Sequence, residues 1–131
     1  KASYSVIYSN GHGNGRLAMQ ALYCANEKGK FWEAHDLIMN NDGYKLINDT
    51  VKNDKANIPQ LVQYLSGAVD SGFLQSCLES GKYEQTISRD EEVGRQLGFQ
   101  GTPDFFVNTT NFGGAQDYKN MEPAVKEALG N

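Results

Sequence analysis

Two cysteines, two histidines and one threonine–proline step are the residues here whose types and spacing could do chemistry. Cys24 and Cys77 lie far apart, form no C-x-x-C, and have no histidine at zinc-ligand spacing. They fit either two buried thiols or one disulfide, and composition does not choose between them. His12 and His35 have no partner arrangement that would make either a general base, so a surface or core role is the simpler reading. No G-x-S-x-G and no H-E-x-x-H occurs. "GNGRLA", Gly13 to Ala18, matches a dinucleotide fingerprint between strand-like and helix-like sequence. That motif needs a second strand ending in an acidic residue about 20 positions on. The sequence there, "KFWEAHDLIM", is helical, so a flexible turn accounts better for the glycines. Asn48-Asp-Thr and Asn108-Thr-Thr fit the glycosylation sequon, a weak pattern. Thr102-Pro103 stands directly ahead of a short apolar strand, Asp104 to Val107. Proline donates nothing to a ladder and is confined to strand starts, edges and bulges. The turn must therefore face something.

A chain of 131 residues is the size of one domain. Its net charge of −4 argues against a nucleic-acid partner, which calls for a basic stripe. No apolar run approaches the roughly 18 residues of a membrane span. No metal and no cofactor is implied by any motif. The first residues, "KASYSVIYSN", carry neither an initiator methionine nor a signal-peptide pattern and read as the start of a cut or processed chain.

The elements that must position these residues follow from periodicity. Tyr4 to Tyr8 alternates as a strand, with Tyr4, Val6 and Tyr8 on one face. After "GHGNG" comes a helix with Leu17, Ala21, Cys24 and Ala25 on one stripe, ended by Gly29. Residues 30–41 form a second helix presenting Phe31, Trp32, His35 and Leu37/Ile38, with Phe31 and Trp32 expected in the core. Residues 40–57 are irregular, with a weakly helical piece at 44–51. Pro59 opens a helix carrying Leu61, Leu65 and Val69, and another carries Phe73, Leu74, Cys77 and Leu78. A long helix follows with Tyr83, Ile87, Val93 and Leu97 facing inward and Gly98 as its stop. The strand at 104–108 returns near Phe112, and a last helix is capped by Asn120 with Pro123 in its first turn. Helices set into a small sheet give an α/β class.

Four strings, taken together and in order, carry a resemblance. "CANEKGKFWEAHDLIMNN" resembles the helical insert of DsbA-type thiol–disulfide oxidoreductases. "FLQSCLESGKY" looks like the helix bearing that insert's second cysteine. "LGFQGTPDFFVN" is similar to the family's Gly-Thr-Pro approach to a strand, and "GGAQDYKNMEPAVKEAL" to its edge and terminal helix. The resemblance covers nearly the whole chain. It implies a single thioredoxin-like (DsbA-like) domain over 1–131, with a helical insert at about 16–82.

The resemblance further implies a cis Thr102–Pro103 turn whose backbone receives extended or unfolded protein substrates by strand addition. Asp104 departs from the uncharged residue usual in the family. Cys24 and Cys77 are expected to bridge two insert helices as a structural disulfide, in an oxidising, extracytoplasmic and bacterial setting. Neither cysteine matches the family's reactive C-x-x-C, which precedes the strand of residues 3–9. The chain is therefore expected to lack the N-terminal strand–helix unit, to hold no catalytic residue, and to be inactive alone. Whether to describe it as an enzyme thus depends on its parent. The alternatives are a non-catalytic thioredoxin-fold peptide-binding module and, less favoured by the Gly-Thr-Pro and Phe-Trp-Glu strings, a glutathione-using relative. An incomplete sheet would be completed by residues 3–9 pairing with 104–108, by a strand swap in a homo-oligomer, or by a separate N-terminal piece. A partner chain is preferred, because Tyr4, Val6 and Ile7 leave two strand faces to cover.

Overall fold

The computed structural model describes residues 2–9 and 13–130. Seven α-helices and one hairpin follow in the order α1 (Arg16–Glu27), α2 (Phe31–Ile38), α3 (Asn41–Lys45), α4 (Ile58–Tyr64), α5 (Ser71–Ser80), α6 (Glu84–Gln96), β1 (Asp104–Val107), β2 (Thr110–Gly113) and α7 (Tyr118–Ala128). A π-helical turn at Leu46–Val51 and a 3₁₀ turn at Lys55–Asn57 join α3 to α4.

α1 is the centre of the helical body. Leu17, Ala18, Ala21, Leu22, Cys24 and Ala25 are all buried, and α1 packs on α2, α5 and α6. Its alanines let the neighbours approach closely, while Leu22, Leu61, Leu65, Leu74, Leu78 and Ile87 fill the space between helices. Each of these buried aliphatic side chains contributes about 1.5–3 kcal/mol by leaving water. Local signals set the boundaries. Asn40 Oδ1 accepts from the Gly43 N–H at 2.8 Å to start α3, and Asp70 Oδ2 accepts from the Phe73 N–H at 2.9 Å to start α5. Gly81 ends α5 in the left-handed region at φ 66°. Gly43 has a steric reason as well: a Cβ there would lie 2.3 Å from the Leu37 carbonyl oxygen.

Ahead of α1 the chain bends at Gly13 and Asn14. Gly13 has φ 77°, and a Cβ on it would meet Asn48 Oδ1 at 2.1 Å. That same oxygen accepts from the Asn14 N–H at 2.9 Å, while Asn48 Nδ2 donates to the Tyr44 carbonyl at 3.0 Å. Asn48, half of a sequon by sequence, is thus used up in tying this bend to the helical body.

Several expectations are corrected. Residues 2–9 form no strand, and the one sheet among the described residues is the antiparallel pair β1–β2, with Phe105 opposite Phe112. Alternation makes a face but not a ladder: the backbone at 2–9 has no strand beside it, and the Tyr8 N–H donates instead to Asp90 Oδ2 at 3.2 Å. Tyr8 alone of that face is buried; Tyr4, Val6 and Ile7 are exposed. Pairing of residues 3–9 with 104–108 is therefore not found. Trp32 is 51% exposed rather than core, because α2 turns Ala34 and Ile38 inward and leaves Trp32 against Tyr4, Phe31 and His35. α7 begins after Asp117, not at Asn120, so Pro123 sits in the helix interior, where it forfeits the bond to the Lys119 carbonyl. Two cap-type residues three positions apart made that boundary ambiguous. His12 lies outside the described residues.

Candidate functional site

The route from α6 into Thr102–Pro103 is built by one capping motif. Gly98, at φ 70°, donates its N–H to the Arg95 carbonyl at 3.1 Å, and the Phe99 N–H reaches the Gly94 carbonyl at 3.4 Å. This double closure is a Schellman motif, which reverses the chain at a helix end. It lays the Phe99 ring over Gly94, where a Cβ would stand 2.8 Å from the ring. With Phe99 taking the inward position, Leu97 is left outside at 50% exposure, correcting its expected place in the core.

Beyond the motif the chain crosses Gly101 to Thr102 and Pro103, both exposed, joined by a cis peptide. They wall a cleft of about 500 Å³ together with Leu97, Phe99, Asp104 and Asn111. Asn111 Nδ2 donates to Asp104 Oδ1 at 2.9 Å across the hairpin, so the Asp104 carboxylate is held by the neighbouring strand. β1 follows directly, with one edge paired to β2 and no strand on its other edge among the described residues. The cleft combines an apolar wall, exposed turn backbone and a strand edge. That set can hold an extended peptide.

Cys24 and Cys77 are joined as a disulfide between α1 and α5, with Cα atoms 6.2 Å apart and 53 positions between them in sequence. Both are buried, and Glu27 Oε2 lies 3.6 Å from the Cys77 sulfur, a contact without a proton since that sulfur is bonded to Cys24. The disulfide belongs to the helical body and does not line the Thr102–Pro103 cleft. Among the described residues no free cysteine remains and no group of three His, Cys, Asp or Glu could hold a metal ion. No helix there is long and apolar enough to cross a membrane. His35 lies beside Asp36, its Nδ1 3.1 Å from Oδ1, with its ring among Phe31 and Trp32.

A polar cluster missed by the periodicity ties residues 2–9 to α6. Asp90 Oδ2 accepts from both the Tyr8 N–H and the Tyr23 hydroxyl. Burial, then the bond to Asp90, pushes the Tyr23 phenol well above the ordinary tyrosine range. Burial, then the charge of Glu91, raises Tyr8, whose hydroxyl is buried with no partner among the described residues. Tyr23 stacks on Tyr83 with ring centres 5.1 Å apart. No motif marks this cluster, because its members come from three segments.

The comparisons with known proteins agree with this geometry. A family model described as Thioredoxin matches residues 3–127. The solved structure of a thioredoxin-like oxidoreductase from Silicibacter pomeroyi DSS-3 is similar with a TM-score of 0.63 and 22% identity, over 91% of this chain and 64% of that one. This chain thus spans 64% of the length of that relative. No curated protein matches it. The fold is accordingly thioredoxin-like α/β with mostly helical content, and the chain belongs to the thioredoxin family.

Proposed function

We propose that the chain is part of a DsbA-type thiol–disulfide oxidoreductase acting on protein disulfides outside the cytoplasm. In this reading residues 16–82 are the DsbA-type helical insert, and the 131 residues supply the substrate groove while a redox dithiol comes from elsewhere in the whole protein. The observation that carries the reading is the Thr102–Pro103 turn, exposed at the mouth of a strand with an open edge. An extended substrate docks there by backbone pairing, with Leu97 and Phe99 as the apolar wall. Family membership supports thiol–disulfide chemistry. The Cys24–Cys77 bridge supports an oxidising compartment. Because both cysteines are committed to each other, the chain itself has no thiolate to form the mixed disulfide that exchange requires.

The second reading is a non-catalytic module that uses the same groove for peptides. It is favoured by the same lack of a free thiol. Two measurements separate the outcomes. The purified 131-residue chain shows no insulin reduction or thiol oxidation above a glutathione background; turnover above it overturns the inactivity. Titration of the labelled chain with an S-alkylated unfolded peptide shifts resonances of Leu97, Thr102 and Asp104, and an unmoved set rejects the groove. A whole protein carrying a C-x-x-C that restores exchange establishes the enzyme, and one without it the module. In the isolated chain, the open edge of β1 is where a second copy pairs; sedimentation showing only monomer at high concentration rejects that partner.

A further inference from the structure

The Thr102–Pro103 cleft carries charge of one sign only. Of the residues that line it, Asp104 alone is ionisable. Among the described residues no basic side chain forms an ion pair with Asp104, whereas Glu27, Glu84, Glu91 and Glu122 each have a basic partner. Asp104 is held instead by a neutral donor, Asn111 Nδ2, at 2.9 Å from its Oδ1. A neutral amide orients a carboxylate without cancelling its charge. The carboxylate also has lone pairs to spare, so Oδ2 is left for a ligand.

Pleat and register decide what surrounds this charge. Asp104 lies opposite Gly113 across the hairpin, and Phe106 lies opposite Asn111. Alternation puts these four on one face of the sheet and Phe105, Val107 and Phe112 on the other. Gly113 brings no side chain to cover the carboxylate, and Asp104 is only half-buried. Phe106, two positions along the same face, is 37% exposed. A strand laid against the open edge of β1 repeats with the same period, so its side chains beside Asp104 and Phe106 are also two positions apart. Such a peptide meets an acid and then an aromatic ring, next to the apolar wall of Leu97 and Phe99.

We propose that the cleft selects extended peptides carrying a lysine or arginine two positions from an aromatic or large aliphatic residue, and that Asp104 makes the selection. The inference rests on the substrate groove proposed above and adds which substrates that groove takes. Opposite charges side by side on neighbouring strands attract and like charges repel. The same carboxylate that receives a basic segment therefore turns an acidic one away.

The test is titration of the ¹⁵N-labelled chain with three S-alkylated unfolded peptides that differ only at X in a central Phe-Gly-X-Gly-Phe, where X is lysine, glutamine or glutamate. Phenylalanine on both sides sets one ring beside Phe106 whichever way the peptide runs. Dissociation constants read from the Thr102 and Asp104 signals should rise in the order lysine, glutamine, glutamate, with about tenfold between the ends at low salt. Asp104→Asn keeps an acceptor for Asn111 and should bring all three within about twofold of one another. Glu79→Gln removes the same charge from the exposed surface of α5 and should leave the spread intact. Asp104→Lys should invert the order. Equal affinities on the unmodified chain, or a spread that survives in Asp104→Asn, overturns the selection and leaves the groove standing. A spread lost equally in Glu79→Gln assigns the preference to net charge and overturns the selection too. If no peptide moves Thr102 or Asp104, the groove itself is rejected, and the selection with it.

Discussion

The helical body over 16–97 and the hairpin–helix unit over 104–128 are built to different standards of packing. In the body, Leu22, Leu61, Leu65, Leu74, Leu78 and Ile87 are less than 2% exposed, and a disulfide ties α1 to α5. In the hairpin–helix unit no residue is buried: β1 and β2 are intermediate to exposed throughout, and α7 buries none of its apolar residues. Phe105, Phe112, Met121 and Val125 are only half covered. The body closes its own core, whereas the hairpin and α7 meet chiefly each other. Local stability follows buried contact, and surfaces that receive partners come from the weaker end of that range. The groove proposed for substrate thus lies on the less consolidated region, hung from the consolidated one by the Schellman turn at Gly98.

The largest test of this contrast is the disulfide. Closing a loop of 53 positions stabilises by about 4 kcal/mol on the chain-entropy account. The double variant Cys24→Ser, Cys77→Ser should lose roughly that amount in urea unfolding of the body. Resonances of residues 104–128 should hardly move in its folded state. A loss below about 1 kcal/mol would mean that the body is already held together without the bridge.

Matched truncations come next. Leu61→Ala, at a side chain with no exposure, should cost about 3 kcal/mol through lost burial and a residual cavity. Phe105→Ala removes a larger side chain from a half-covered site and should cost about 1 kcal/mol. Equal costs in equilibrium unfolding would show that the hairpin–helix unit is as well consolidated as the body, and would break the comparison.

What could be read from the sequence follows the same division. The helix carrying Leu74, Cys77 and Leu78 was legible because its stripe is local, whereas the Leu61–Leu65–Val69 spacing marked three buried positions but overran α4, which ends at Tyr64. The Cys24–Cys77 pairing needed the resemblance, since spacing alone left two thiols open. Residues 2–9 were misread because alternation reports two faces and is silent on whether a strand lies alongside. Leu97 was misread because the Schellman turn gave its inward place to Phe99, a contact decided by the absent side chain of Gly94.

The response to pH should also fall on the body. Folding holds Tyr23 and Tyr8 protonated to higher pH, through burial first and then Asp90 and Glu91 respectively. Their contribution is therefore complete below the unfolded tyrosine value of about 10 and is lost as pH climbs toward the folded values. Glu27 and Glu84 act at the other end: bonds from Lys82 and Lys55 hold them below the ordinary glutamate range. Their contribution is present above about pH 4.3 and is lost as pH falls through the depressed values. Melting temperatures across pH should thus decline at both ends. Tyr23→Phe should flatten the alkaline limb; an unchanged limb would remove the Asp90 cluster from the account.

The smallest effect tests the link between the two regions. Gly94→Ala lies inside α6, where alanine ordinarily gains about 1 kcal/mol over glycine. Here the new Cβ would stand 2.8 Å from the Phe99 ring, closer than such contacts allow, so the ring must move. The two effects oppose, and the net change in stability should fall within about 1 kcal/mol of zero. The informative readout is position: displacing Phe99 should shift Leu97, Thr102 and Asp104 together and weaken binding of the S-alkylated peptide, with no change at Cys24 or Leu61. A full gain in stability with these resonances unmoved would show that Phe99 steps aside without cost, and that the Schellman turn does not set the groove.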